Sequence, residues 1–161
     1  MKLLVSACLL GERVRYDGQA QALELAQLTI WMQQGLIIGC CPEVAGGLPV
    51  PRPAAERQPD GAICTADGDD VTAAFTRGAE AALALCLRHD VRCALLKERS
   101  PSCGSQHIYS GRFDGTLVAG EGLTAALLRQ HGIRVFSELQ APEFIAHVQT
   151  LLSQGASSPV E

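Results

Sequence analysis

The sequence lacks the features that mark a membrane protein or a nucleic-acid-binding surface. None of its apolar runs is long enough to cross a bilayer, because each ends early in glycine, cysteine or proline. Basic residues form no block longer than two, and the net charge at pH 7 is −4, which argues against a surface that follows a phosphate backbone. We therefore predict no membrane partner and do not expect a nucleic-acid partner.

The 161-residue chain also lacks internal repeats and a linker between two apolar regions, and aromatic residues make up only 4% of it. We predict one domain over residues 1–154 and a flexible tail at 155–161. The N-terminus, MKLLVSACLLG, has a short apolar stretch followed closely by two arginines, so we interpret it as a first β-strand rather than a lipoprotein signal. These features predict a cytoplasmic protein.

A complete set of disulfides is excluded by the cysteine count, since seven is an odd number. In a secreted domain one cysteine would remain unpaired. In a reducing cytosol the same residues are buried thiols, metal ligands or nucleophiles.

Apolar strands and amphipathic helices alternate along the chain. The predicted strands are 2–7, 36–41, 91–98 and 133–138, and the predicted helices are 20–34, 69–90, 123–131 and 141–154. Two long loops, at 42–70 and 99–122, are rich in glycine and polar residues. This alternation predicts a three-layer, Rossmann-like α/β fold, with a mainly parallel sheet and helices on both faces.

Three cysteines follow three of the predicted strands. Cys8 follows the first strand, Cys41 ends the second, and Cys103 lies in the loop after the third. The carboxyl ends of parallel strands meet at one edge of the sheet, which is where ligands bind in such folds. Three converging thiolates suit zinc, copper(I) or an iron–sulfur cluster. The alternative is that each cysteine is a buried apolar residue, which is the commoner role of a single free cysteine.

The other four cysteines carry weaker signals. We predict that Cys86, on the inward face of its helix with Leu87, and Cys93 are core thiols and that Cys40 points away from Cys41. Cys64 has no assigned role. His107, four residues after Cys103, would complete a zinc site with three cysteines, or else it is an exposed loop residue.

Polar residues beside the three cysteines are candidates for catalysis. Glu43 is either a general acid or base or a solvated carboxylate, and the serines at 100 and 102 in KERSPSCGS either bind substrate or cap a turn. Arg52 is a candidate for anion or substrate binding, with a salt bridge to Glu56 as the alternative.

Five segments of the chain resemble the thiouracil desulfidase family, which is a family of small bacterial proteins. They are VSACLLGERVRYDG, CPEVAGGLPVPRPAAE, DGDDVTAAFTRGAE, LLKERSPSCGS and GEGLTAALLRQHGIRVFSE, and the similarity extends over about residues 1–138. Cys40 and Cys64 lie outside the motifs that carry the resemblance.

The resemblance implies a [4Fe–4S] cluster held by Cys8, Cys41 and Cys103, with one iron left open to take sulfur. It further implies a catalytic carboxylate at Glu43 and a catalytic serine at Ser100, with Ser102 as the other candidate. The implied reaction replaces the sulfur of a thiolated base, such as 2-thiouracil, or of a related thioamide with oxygen from water, and releases hydrogen sulfide without net redox change.

A planar substrate requires a flat pocket, which the two glycine-rich loops can form because glycine permits close backbone approach. We accordingly predict that Gly46 and Gly47 contact the substrate, together with Arg52. Two alternatives stay open at this point: a zinc-binding or redox-sensing module without catalytic activity, and a sulfur-transfer protein acting in tRNA thiolation. The acidic charge balance argues against the second.

Overall fold

The computed structural model describes residues 1–156, and its centre is a four-stranded parallel sheet. The strands are β1 (Leu3–Ser6), β2 (Ile37–Cys40), β5 (Cys93–Leu96) and β8 (Arg134–Ser137), in the order β2-β1-β5-β8. All three pairings are parallel, with Leu4 opposite both Ile38 and Ala94. The α/β architecture and the mainly parallel sheet confirm the sequence-based prediction.

Helices cover both faces of this sheet. On one face, α1 (Ala26–Gln33) and α5 (Ala141–Ala156) pack over Leu3, Val5 and Leu95. On the other face, α3 (Thr72–Arg88) and α4 (Leu123–Gln130) pack over Leu4, Ala94 and Leu96. Because alternate residues of a strand point to opposite faces, one apolar run serves both cores.

Both predicted loops contain short elements that the pattern of apolar residues did not reveal. The first holds α2 (Pro42–Ala45) and the antiparallel pair β3 (Ala55–Arg57) and β4 (Ile63–Thr65). The second holds the hairpin of β6 (His107–Tyr109) and β7 (Leu117–Ala119). Strands of three residues are too short to produce a readable alternation.

The structure corrects two further expectations. The first long helix begins at Ala26 rather than at residue 20, because the preceding segment runs alongside the 3₁₀ helix Ala7–Leu10 and donates backbone hydrogen bonds to it, as from Leu23 to Leu9. Leu87, which we expected to point inward, is 66% exposed, whereas its neighbour Cys86 is buried.

The C-terminal helix α5 extends as far as Ala156, so the first two residues of the predicted tail are helical. The rest of that tail, 157–161, lies outside the described residues. Within residues 1–156, no helix combines the length and the apolar character that crossing a membrane requires.

Candidate active site

A cavity of about 640 Å³ opens at the carboxyl edge of the central sheet. Its wall includes Cys8, from the 3₁₀ helix after β1, and Cys41, the residue after β2. Cys103 reaches the same wall from the loop between β5 and β6. The parallel topology therefore brings together three cysteines that are 33 and 62 residues apart in the chain, and leaves them as free thiols.

Burial and mutual repulsion make these thiols hard to ionise. Burial, followed by the proximity of Cys41, raises the pKa of Cys8 to about 11. Burial and the neighbouring Glu43 raise the pKa of Cys41, and burial, Glu43 and the other two cysteines raise that of Cys103 well above its usual range. Thiolates that lie near one another in a cavity wall repel, so a compensating cation beside them would favour their joint ionisation.

Buried Glu98 holds the loop that carries Ser100 and Cys103. Its Oε1 accepts backbone N–H bonds of 2.9–3.3 Å from four residues of this loop, namely Arg99, Ser105, Gln106 and His107. Burial alone would raise the pKa of this carboxyl, but these bonds outweigh burial and lower it. Glu98 is therefore an anion enclosed by the loop that it orders.

The two candidate serines have different surroundings. Ser100 lines the cavity, and its Oγ accepts backbone N–H bonds from Ser102 at 3.1 Å and from Cys103 at 2.7 Å. Ser102 is fully buried, is absent from the cavity wall, and shares a 2.8 Å hydrogen bond with the hydroxyl of Thr124. The structure therefore places Ser100 beside the cysteines and Ser102 in the core.

Glu43 and Arg52 form an ion pair in the cavity wall. Nε of Arg52 donates to Oε2 of Glu43 at 2.9 Å, and Nη2 donates to the same oxygen. The guanidinium also donates to the carbonyls of Pro49 and Val14. Its partner is Glu43 and not Glu56, which was the pairing considered from the sequence. The other oxygen of Glu43, Oε1, makes no hydrogen bond to the part of the chain that the structure describes.

Neither Gly46 nor Gly47 lies in the cavity wall. Gly46 follows α2 and is pressed against α3, where an added Cβ would overlap the carbonyl oxygen of Ala74. Gly47 is exposed and has a φ of +97°, which makes it a turn residue. Gly46 therefore allows α2, which carries Glu43, to pack closely against α3.

The zinc set considered from the sequence is not brought together. His107 lies in β6, is exposed, and is absent from the cavity wall. Over residues 1–156, no three His, Cys, Asp or Glu side chains are grouped closely enough to hold a single metal ion. Cys86 and Cys93 are core thiols, whereas Cys40 is buried in the α3-side core and also lines the cavity, next to Cys41. Cys64 is half-buried in β4.

Sequence reasoning missed the aromatic part of the wall. Phe75, Tyr109, Phe113 and the more exposed Tyr16 all line the cavity. A usable signal was present, because Tyr109 and Phe113 stand in a polar, glycine-rich loop of a chain that has few aromatic residues. Lys97 was also missed as a lining residue, and its ammonium group bonds Glu138 at 2.9 Å.

Together, these features describe an α/β fold with a cavity at the carboxyl edge of its parallel sheet and several cysteines in the cavity wall. A family model of 2-thiouracil desulfurase matches residues 3–140, and the chain belongs to that family, as its motifs predicted.

Two relatives show how far the similarity extends. The solved structure of a [4Fe-4S]-dependent thiouracil desulfidase, TudS, superposes with a TM-score of 0.90 at 57% sequence identity, over 92% of this chain and 98% of that one. Uncharacterized protein YbbK of Bacillus subtilis (strain 168) is 40% identical over 145 residues, which are 84% of this chain and 95% of YbbK. Both likenesses therefore cover whole domains.

Proposed function

We propose that this protein removes sulfur from a thiolated nucleobase such as 2-thiouracil, using an iron–sulfur cluster held by Cys8, Cys41 and Cys103. In this reaction 2-thiouracil and water give uracil and hydrogen sulfide, so no electron is gained or lost overall. The observation that carries the proposal is the convergence of the three cysteines on one cavity, in a chain of the 2-thiouracil desulfurase family.

The donor set fits a cluster better than it fits a single ion. Thiolates are the usual ligands of iron–sulfur clusters, and a cluster bridges ligands that are set too far apart to share one ion. Burial raises the pKa values of Cys8, Cys41 and Cys103, so a cationic cluster beside them would favour their thiolate forms. Three protein ligands would leave one of four irons open, and the chemistry that a bound cluster supplies there is Lewis-acid affinity for sulfur.

Glu43 is the residue that we propose moves the protons of this reaction. Arg52 occupies Oε2, and Oε1 is left to accept a proton from water or from the thioamide nitrogen. The same carboxyl can return that proton to the departing sulfur, because the overall reaction consumes one water and no acid. The guanidinium fixes the orientation of the carboxylate through two nitrogens.

Ser100 is the serine that we propose contacts the substrate. Its hydroxyl lines the cavity and its oxygen already accepts two N–H bonds, so its own proton is available to a polar atom of the substrate. Ser102 lacks this access because it is buried against Thr124. Arg52 supports the substrate only indirectly, through Glu43.

The proposal is tested with protein purified and reconstituted without oxygen. We expect brown protein that contains about four irons and releases sulfide and uracil from 2-thiouracil in equal amounts. The variants Cys8→Ser, Cys41→Ser and Cys103→Ser should each lose the colour and the activity, whereas Cys64→Ser, a control outside the cavity wall, should keep both. Colourless protein that contains no iron, or full activity in the Cys103→Ser variant, would contradict the proposal.

The chemistry of the site also bears on the protein's location. Seven free cysteines stay reduced in a reducing compartment, so we propose the cytoplasm. We propose that its partner is a small thiolated base, and that residues 1–154 act as one domain. A fractionation experiment with antibodies against the chain would test the location.

A further inference from the structure

The seven aromatic residues of the chain divide into two groups. Trp31, Phe136 and Phe144 pack edge to face beneath the sheet, with ring centroids 6.2 Å and 5.7 Å apart. The other four, Tyr16, Phe75, Tyr109 and Phe113, line the cavity. The chain therefore places four of its seven aromatic side chains around the cavity.

Phe113 reaches the cavity in a backbone conformation that is unusual for its side chain. It lies between β6 and β7 with a φ of +55°, in the left-handed region that favours glycine. Gly111 and Gly115, on either side, also have positive φ values, of +95° and +80°. A glycine at position 113 would relieve the strain, so the large ring present there is a candidate for a functional role.

Buried Glu56 holds this conformation. Its Oε1 accepts the backbone N–H of Gly111 at 2.9 Å and that of Phe113 at 3.2 Å. Gln58, the residue after β3, donates from Nε2 to the carbonyl of Gly111 at 3.3 Å. Glu56 also lines the cavity, is only 8% exposed and has no cationic partner among the described residues, and it gives its Oε1 to the turn that presents Phe113.

We infer that Phe113 is a specificity-determining residue that stacks on the ring of the substrate, and that Glu56 is the positioning residue that presents it. The substrate class is then a planar, conjugated heterocycle carrying the C=S group, and not an open-chain thioamide. Aromatic side chains recognise bases in this way because every base offers a π-face. This inference rests on the proposed function and adds to it the residue that recognises the ring of the base.

The test compares two ligands that share their polar groups and differ in planarity. Uracil is planar, whereas dihydrouracil has a puckered ring that stacks poorly. Calorimetric titration of the anaerobically reconstituted protein should give tighter binding of uracil. The variant Phe113→Ala should weaken uracil binding by about tenfold, the factor expected for loss of one stacking contact, and change dihydrouracil binding little. Phe113→Tyr should preserve the preference.

The role of Glu56 is tested by the ratio of the dissociation constants for dihydrouracil and uracil. Glu56→Ala should reduce the preference for uracil, and adding it to Phe113→Ala should cause little further loss, because both changes remove the same contact. Leu117→Ala is the matched control, since Leu117 belongs to the same hairpin and is absent from the cavity wall. Thermal unfolding of each variant shows whether it is folded, and Phe113→Leu replaces Phe113→Ala if the latter is not.

Two results would overturn the inference. One is wild-type protein that binds uracil and dihydrouracil equally or binds neither. The other is an unchanged ratio in both Phe113→Ala and Phe113→Leu. Sulfide release from 2-thiouracil by the wild-type protein is measured in parallel and tests the proposed function separately, because the binding of uracil requires no turnover.

Discussion

Glu43 and Glu98 are both carboxylates of the cavity wall, yet their surroundings assign them opposite tasks. Glu98 accepts five hydrogen bonds, four from backbone N–H groups and one from the hydroxyl of Ser105. Glu43 uses one oxygen on Arg52, and its other oxygen makes no bond within residues 1–156. A carboxylate whose acceptor positions are filled can only hold structure, whereas one with an open oxygen can exchange protons.

The comparison predicts its largest effect at Glu43. Glu43→Gln keeps the size of the side chain and removes its capacity to take a proton, so turnover of 2-thiouracil should fall by about 10²–10⁴-fold, the usual contribution of a general acid or base. The iron content and the melting temperature should stay close to those of the wild type. Sulfide release at the wild-type rate from this variant would show that Glu43 holds structure as Glu98 does.

Glu98→Gln should produce the complementary result. The amide oxygen of glutamine is a weaker acceptor for four N–H groups than a carboxylate oxygen, and the amide NH₂ group would face groups that also donate. We therefore expect a loss of about 2–3 kcal/mol in the free energy of unfolding. Urea unfolding at neutral pH measures it. Ser105→Ala, which removes only one long bond to Glu98 at 3.3 Å, is the milder control.

The pKa shift of Glu98 predicts how the stability difference between wild type and Glu98→Gln changes with pH. The folded state lowers the pKa of Glu98, so the carboxylate stabilises the protein above the pKa of the unfolded chain. This stabilisation is lost as the pH falls through the lowered value. The stability difference between wild type and Glu98→Gln should therefore be largest near neutral pH and shrink in acid. A difference that stays constant down to pH values of about 3 would contradict the anionic assignment.

Arg52 distinguishes the two carboxylates, because only Glu43 has a cationic partner that the cavity also exposes. Arg52→Gln should lower kcat by about tenfold through misorientation of Glu43, with a smaller change in KM. Arg52→Lys should recover part of kcat, since one N–H bond to Oε2 can re-form. If KM rises and kcat does not change, Arg52 binds the substrate directly, as the sequence alone had suggested.

The sequence predicted the parallel sheet and the shared position of three cysteines, but not the contacts that distinguish Glu43 from Glu98. Alternating strands and helices predicted the parallel sheet, and the positions of Cys8, Cys41 and Cys103 after strands predicted their shared edge. It did not predict the hydrogen bonds that loop residues form. The carboxyl of Glu98 bonds backbone groups seven to nine residues away, and no pattern of side chains signals such bonds.

Helix boundaries and glycine roles failed for related reasons. The 20–25 segment has helical spacing but pairs with the 3₁₀ helix after β1, a tertiary contact that overrides local propensity. Gly46 was expected to contact the substrate because glycine permits close approach. It does permit close approach, but the approaching group is the backbone of α3. The glycine indicated a close backbone contact at position 46, but it did not indicate which group makes that contact.

The two serines extend the same reasoning on a smaller scale, because Ser100 faces the cavity and Ser102 faces the core. Ser102→Ala removes one buried hydroxyl partner of Thr124, which should cost about 1–2 kcal/mol of stability and leave kcat unchanged. Ser100→Ala removes a turn acceptor as well as the proposed substrate contact, so it should lower both stability and kcat. Ser100→Thr, which keeps the hydroxyl, separates the two effects. If Ser102→Ala reduces kcat and Ser100→Ala does not, the catalytic serine is the buried Ser102. The comparison of Glu43 with Glu98 would be unaffected.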